Sequence, residues 1–107
     1  MVIEWLKFKV DPEVRERFVE QDQAIWTKTL SQQPGFLGKE IWINPTLPNE
    51  IVLVIRWQTR EQWKAIAPEL LAETERKFHQ VMGNDTYEML EAQEHHIRKF
   101  LTAATNF

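Results

Sequence analysis

Ile51-Val52-Leu53-Val54-Ile55-Arg56-Trp57 is the stretch that decides the fold. A short apolar run rich in β-branched residues, with no polar alternation, reads as a strand covered on both faces. It is the heart of a strand over Glu50–Gln58, central or interfacial in its sheet. Immediately before it, Asn44-Pro45-Thr46-Leu47-Pro48-Asn49 is turn chemistry, and before that Phe36–Asn44 reads as a partner strand. If the hairpin pairs symmetrically about Pro45–Asn49, Glu40 lies diagonally across from Arg56 on the same face.

Working outward, Pro34-Gly35 stops a preceding helix. That helix opens at Asp11-Pro12, an N-cap residue followed by the residue favoured at the first helical position, and runs to about Gln32. Its inner arc holds Val14, Phe18, Ile25, Trp26 and Leu30, with Asp22 and Thr29 set among them. Val2–Val10 is a first strand with apolar residues on both sides. Downstream, Thr59-Arg60-Glu61-Gln62 is a capping box, and a short helix with Trp63 and Ile66 follows. Pro68 restarts or kinks the chain. A longer helix puts Ala67, Leu70, Leu71, Thr74, Phe78, Val81 and Met82 on one side and ends at Gly83. Tyr87 to about His96 is read as a last strand, although Glu88–Leu101 can also be drawn as a helix.

The order is β-α-β-β-α-β. It predicts one α+β, ferredoxin-like domain over residues 1–107, an antiparallel sheet with both helices on one face. Strands 1 and 3 are too apolar to leave the other face in water, and a second copy is the simplest cover. A homodimer, its sheets packed as a dimeric α/β barrel, is therefore expected.

Composition narrows the function. The net charge is −3 with both signs interspersed, which argues against nucleic acid as a partner. No apolar run approaches the roughly 18 residues of a membrane span, and no signal-peptide core is visible, so a cytoplasmic protein without membrane contact is expected. With no cysteine, thiolate metal sites and cysteine nucleophiles are excluded. His95 and His96 are adjacent and fall on opposite faces of a strand, so no metal site is expected.

Pro34-Gly35-Phe36, followed by an apolar strand ending Arg56-Trp57-Gln58-Thr59-Arg60-Glu61, resembles the antibiotic biosynthesis monooxygenase-like domain of the dimeric α/β barrel superfamily. The resemblance covers essentially the whole chain in element order. It implies a ferredoxin-like protomer, a dimer, and a place among cofactor-free oxygenases, heme degraders, isomerase-like proteins and members without known activity. The family often places a His nine positions after the motif Trp, and heme degraders place a Trp there; this chain has Ile66. Heme degraders also carry an Asn on strand 1, which is absent here. Their heme-ligating His falls near Arg76, three residues from His79. These departures count against heme chemistry.

Asp22 is the sharpest candidate for chemistry. A carboxylate on an apolar arc costs free energy unless it is paired or used, and burial would raise its pKa toward that of a general base. It is either a catalytic base, or a structural residue that pairs with Arg15 or sits at a solvated edge. Arg56 is either an anion-binding handle or the structural partner of Glu40. Trp26, Trp42, Trp57, Trp63 and Phe78 are candidates to frame a pocket for a small hydrophobic molecule, and equally candidates for core; His79 is a surface residue or lines a cleft. The two functional readings are a cofactor-independent, monooxygenase-like or isomerase-like enzyme or binder acting on a flat hydrophobic metabolite, and a non-catalytic dimeric module that binds a ligand or a partner. A protomer core without a cavity would favour the second.

Overall fold

A computed structural model describes residues 1–104. Four strands, β1 (Val2–Val10), β2 (Phe36–Asn44), β3 (Leu47–Trp57) and β4 (Tyr87–His96), form an antiparallel sheet in the order β2-β3-β1-β4. The helical segments α1 (Arg15–Gln21), α2 (Lys28–Leu30), α3 (Arg60–Lys64) and α4 (Pro68–Met82) lie on one face. The α+β ferredoxin-like order is the predicted one, and residues 87–96 are strand, not helix. No helix among the described residues is long and apolar enough to cross a membrane.

Three features differ from the sequence reading. The hairpin is tighter: Asn44 pairs with Leu47, so only Pro45 and Thr46 separate the strands, and Asn44 Oδ1 accepts from Thr46 N–H at 3.0 Å. Turn-forming residues at 47–49 are thereby taken into β3. Val81, assigned to the apolar side of α4, is 43% exposed, because Thr74, Phe78 and Met82 define the buried stripe. The first helical run is not uniform. It starts with a 3₁₀ turn at Pro12–Val14 capped by Asp11, and between α1 and α2 it widens into a π-helical stretch, Asp22–Thr27, where Lys28 N–H reaches back to Gln23. It ends at Leu30. Such widened turns often occur at functional sites.

Strand parity places the core. On β1, Val2, Leu6, Phe8 and Val10 share the helix-facing side with Ile51, Leu53, Ile55 and Trp57 of β3. Phe18 of α1 and Phe78 of α4 meet edge to face over this side, with centroids 5.2 Å apart. The opposite side carries Trp5 and Lys7 on β1, Val52, Val54 and Arg56 on β3, and Glu40 and Trp42 on β2. The anticipated diagonal pair is present, with Arg56 Nη2 donating to Glu40 Oε1 at 2.8 Å.

The lead-in to β2 depends on Gly35, whose φ of +89° lies in the left-handed region. A Cβ there would sit 2.3 Å from Gln62 Oε1, in the first turn of α3. Gln62 is itself tied to its cap, its N–H donating to Thr59 Oγ1 at 3.1 Å. Gly35→Ala must strain the backbone and displace that side chain. The expected loss is about 1–3 kcal/mol of stability, read as a lower thermal midpoint; an unchanged midpoint would show that the turn tolerates a side chain.

Candidate functional site

Between sheet and helices lies a cavity of about 360 Å³, within the range of small-molecule sites. Leu6, Phe8, Leu53 and Ile55 form its floor, and Phe18, Trp26, Trp63 and Phe78 stand over it. Four charged side chains enter this apolar space: Glu4 from β1, Asp22 from the π stretch, Lys39 from β2 and Glu75 from α4.

Asp22 and Lys39 form a direct ion pair, with Lys39 Nζ 2.5 Å from Asp22 Oδ2, and the Lys39 and Asp22 side chains are 4% and 1% exposed, respectively. Arg15, the partner expected for Asp22, is engaged instead with Glu16 at 3.7 Å. Arg15 lies on a short turn of the same run, whereas Lys39 reaches Asp22 across the core from the facing strand. Burial pushes the Asp22 carboxyl above the usual aspartate range, and the neighbouring ammonium pulls it part of the way back.

Glu4 occupies the helix-facing row of β1 between Val2 and Leu6, and its Oε1 accepts from Trp57 Nε1 at 3.2 Å. Burial raises its pKa, opposed by the indole hydrogen bond and by the charges of Lys39 and Lys64. Glu75 ties α4 to the π stretch and to β4 at the rim. It accepts from Trp26 Nε1 at 3.2 Å and from the Tyr87 hydroxyl at 2.6 Å. Burial and the Glu75 carboxylate drive the Tyr87 phenol well above its ordinary pKa, so it acts as a neutral donor.

Of the residues singled out in the sequence, Asp22, Trp26, Trp63 and Phe78 come together around this cavity. Four do not. Trp42 lies on the far side of the sheet, paired with Val52. Trp57 is completely buried beneath it, edge-on to Phe36 at 5.7 Å, and touches the site only through its bond to Glu4. Arg56 points to the other face of the sheet, because it alternates with Ile55. His79 lies on the flank of α4 against Asn84 Oδ1, at 2.8 Å, bordering an open groove with Lys9, Asp11 and Glu88. Among the described residues, no group of three or more His, Asp or Glu side chains is placed to hold a metal ion.

Lys39 and Glu4 were not anticipated, yet each leaves a signal. Lys39 shares alternate positions with Ile41 and Ile43, and Glu4 stands between Val2 and Leu6. Each is a charge inserted in an apolar row of a strand, the same pattern that marks Asp22 on the helix.

Among curated proteins, none matches the sequence. Solved structures do match the fold. One is a mutant form of SnoaB, a cofactor-independent oxygenase from Streptomyces nogalater, with 17% identity, TM-score 0.67, and 94% of this chain and 95% of that chain covered. Another is the ActVA-Orf6 monooxygenase of Streptomyces coelicolor in complex with nanaomycin D, with 18% identity, TM-score 0.72, and 94% and 90% covered. At these identities the likeness establishes architecture alone. The sequence match is more specific: the antibiotic biosynthesis monooxygenase profile aligns with residues 1–67, from β1 through α3. That span includes the Asp22–Lys39 pair and the helix carrying Trp63, and by it the chain belongs to the antibiotic biosynthesis monooxygenase family.

Proposed function

We propose that this protein is a cofactor-independent monooxygenase acting on a flat, hydrophobic or aromatic metabolite with an acidic C–H group. It works as a cytoplasmic homodimer. The observation that carries the reading is an apolar cavity holding a buried Lys–Asp pair. Asp22 takes the proton, and Lys39 then pairs with the substrate anion in place of the aspartate. The ammonium always has one anionic partner, so proton transfer leaves no uncompensated charge in a low-dielectric space. The carbanion reacts with dioxygen directly. In balance, a methylene and O₂ become a carbonyl and water. Trp26, Trp63 and Phe78 supply the surfaces against which a flat ring system packs.

Dimerisation is supported by the far side of the sheet. Trp5, Trp42 and Val52 line a shallow groove there, with Trp42 48% exposed. On the same side Arg56 Nε is buried without a hydrogen-bond partner among the described residues, a group that an acceptor from a second copy would satisfy. The presence of a cavity weighs against the non-catalytic module.

Anthrone, whose central methylene is acidic, is a suitable probe. The purified protein in aerated buffer with no added cofactor is expected to convert it to anthraquinone faster than the Asp22→Asn variant and a heat-denatured control. Equal rates in all three would sink the oxygenase reading. Ile66 stands where heme degraders have a Trp, so no protein-dependent loss of the heme Soret band under reductant is expected; a loss absent from the denatured control would reverse that exclusion.

A further inference from the structure

Glu4 is a cavity carboxylate to which the mechanism above gives no task. Across the sheet it pairs with Ile55, which on its other side pairs with Lys39. Glu4 and Lys39 therefore flank one residue in a single helix-facing row, with Cα atoms about 10 Å apart at two strand spacings. Ile55 is the floor between them. The bond from Trp57 engages Oε1; Oε2 has no hydrogen-bond partner among the described residues, and Glu4 lines the cavity. The charges around it come from every neighbouring element. They are Lys39 and its partner Asp22, Lys64 of α3, Glu75 of α4 at the cavity rim, and Glu94 of β4, which lies opposite Glu4 across the strand pair and is held by Arg60 and His96. None of these cations forms an ion pair with Glu4. A carboxyl so placed keeps its proton more readily than one in water.

We propose that Glu4 is a second acid–base residue of this cavity, giving a proton to the oxygen of the bound substrate while Asp22 and Lys39 manage the carbanion. The role rests on the oxygenase reading. Once Asp22 has taken the first proton and dioxygen has added to the carbanion, the substrate is a peroxide anion. Glu4 protonates its terminal oxygen, giving the hydroperoxide. The Glu4 carboxylate then removes the remaining C–H proton. The C–H electron pair becomes the second bond of the carbonyl, the O–O bond breaks, and the departing hydroxide takes the Asp22 proton to leave as water. One oxygen atom ends in the carbonyl and the other in water, carbon is oxidised from methylene to carbonyl, and both carboxyls return to their starting states. Two acid–base groups on opposite sides of Ile55 suit a ring system that spans that floor.

Glu4→Gln separates this role from a structural one, because the amide oxygen still accepts from Trp57 while the titrating proton is lost. Two measurements decide. Infrared spectra of the substrate-free protein at neutral pH should contain a protonated-carboxyl C=O band that is missing from Glu4→Gln. With anthrone, turnover should fall by about 100-fold, with KM and the thermal midpoint near wild-type values. Identical infrared spectra, or wild-type turnover by the variant, would overturn the assignment and leave Glu4 as an acceptor for Trp57. If the wild-type protein itself leaves anthrone unoxidised, the oxygenase reading fails, and the infrared comparison alone decides whether Glu4 holds the proton.

Discussion

Lys39→Met is expected to lower stability by about 3–5 kcal/mol at neutral pH, because it leaves the Asp22 carboxylate buried and uncompensated. Asp22→Asn is expected to cost a similar amount by stranding the Lys39 ammonium. Replacing both with apolar residues, Asp22→Leu with Lys39→Met, should recover most of the loss, since each partner's burial is justified only by the other. The pH dependence follows from the raised Asp22 pKa. A carboxyl whose folded pKa lies above its unfolded value favours the folded state when protonated. That contribution is fully present below the unfolded pKa and is lost as pH rises through the folded one. Removing Lys39 takes away the charge that pulls the carboxyl down, so the folded pKa of Asp22 rises further. The deficit of Lys39→Met should thus be smallest in acid and grow as pH rises through that value. Denaturant unfolding across the pH range measures it. A deficit independent of pH would show that Asp22 is not the group left exposed to the loss. Changing Arg15 in the Asp22→Asn background should rescue nothing, because Arg15 pairs with Glu16.

What the sequence makes legible is whatever rests on local pattern. The unbroken apolar run of residues 51–57, the Asp11-Pro12 start, the Thr59 cap and the glycine stops each signal through neighbours a few residues away, and from them the element order follows. The Arg56–Glu40 pair was reachable because a hairpin ties residues 16 apart by simple register. Asp22 stood out because helical periodicity exposes a charge on an apolar arc. Its partner did not, since Lys39 approaches from β2 and depends on how the helix lies over the sheet, which no local pattern encodes. The same holds for the wide turn at Asp22–Thr27. Trp57 and Arg56 were grouped with the pocket because both end the most apolar strand. Their true places depend on strand parity: Trp57 goes under the helices and Arg56 to the far side.

Parity also separates two neighbouring substitutions in the apolar run, Leu53→Asp and Val54→Asp. Leu53 pairs with Leu6 and Ile41 on the helix-facing side, is 4% exposed, and forms part of the cavity floor. Leu53→Asp puts an unpaired charge into the core. The loss of the leucine alone is worth about 2–5 kcal/mol, and the desolvated carboxylate adds more. Together they approach the whole stability of an ordinary small domain, about 5–15 kcal/mol, so this variant is expected to be unfolded by far-UV circular dichroism. Val54, on the opposite side, is only 3% exposed within the protomer itself. Val54→Asp therefore disturbs folding as well as any partner and is a poor probe of assembly. Trp42 occupies that same side, half-exposed and opposite Val52, and is the cleaner probe. In light scattering at micromolar concentration the wild-type protein is expected at about twice its 12.8 kDa protomer mass. Trp42→Asp is expected at the protomer mass with an unchanged circular dichroism spectrum, because a charge on each copy would be buried against the other across a two-fold axis. A monomeric wild-type protein would remove the dimer from the functional reading. A Trp42→Asp dimer as stable as wild-type would show instead that the two copies meet through some other surface.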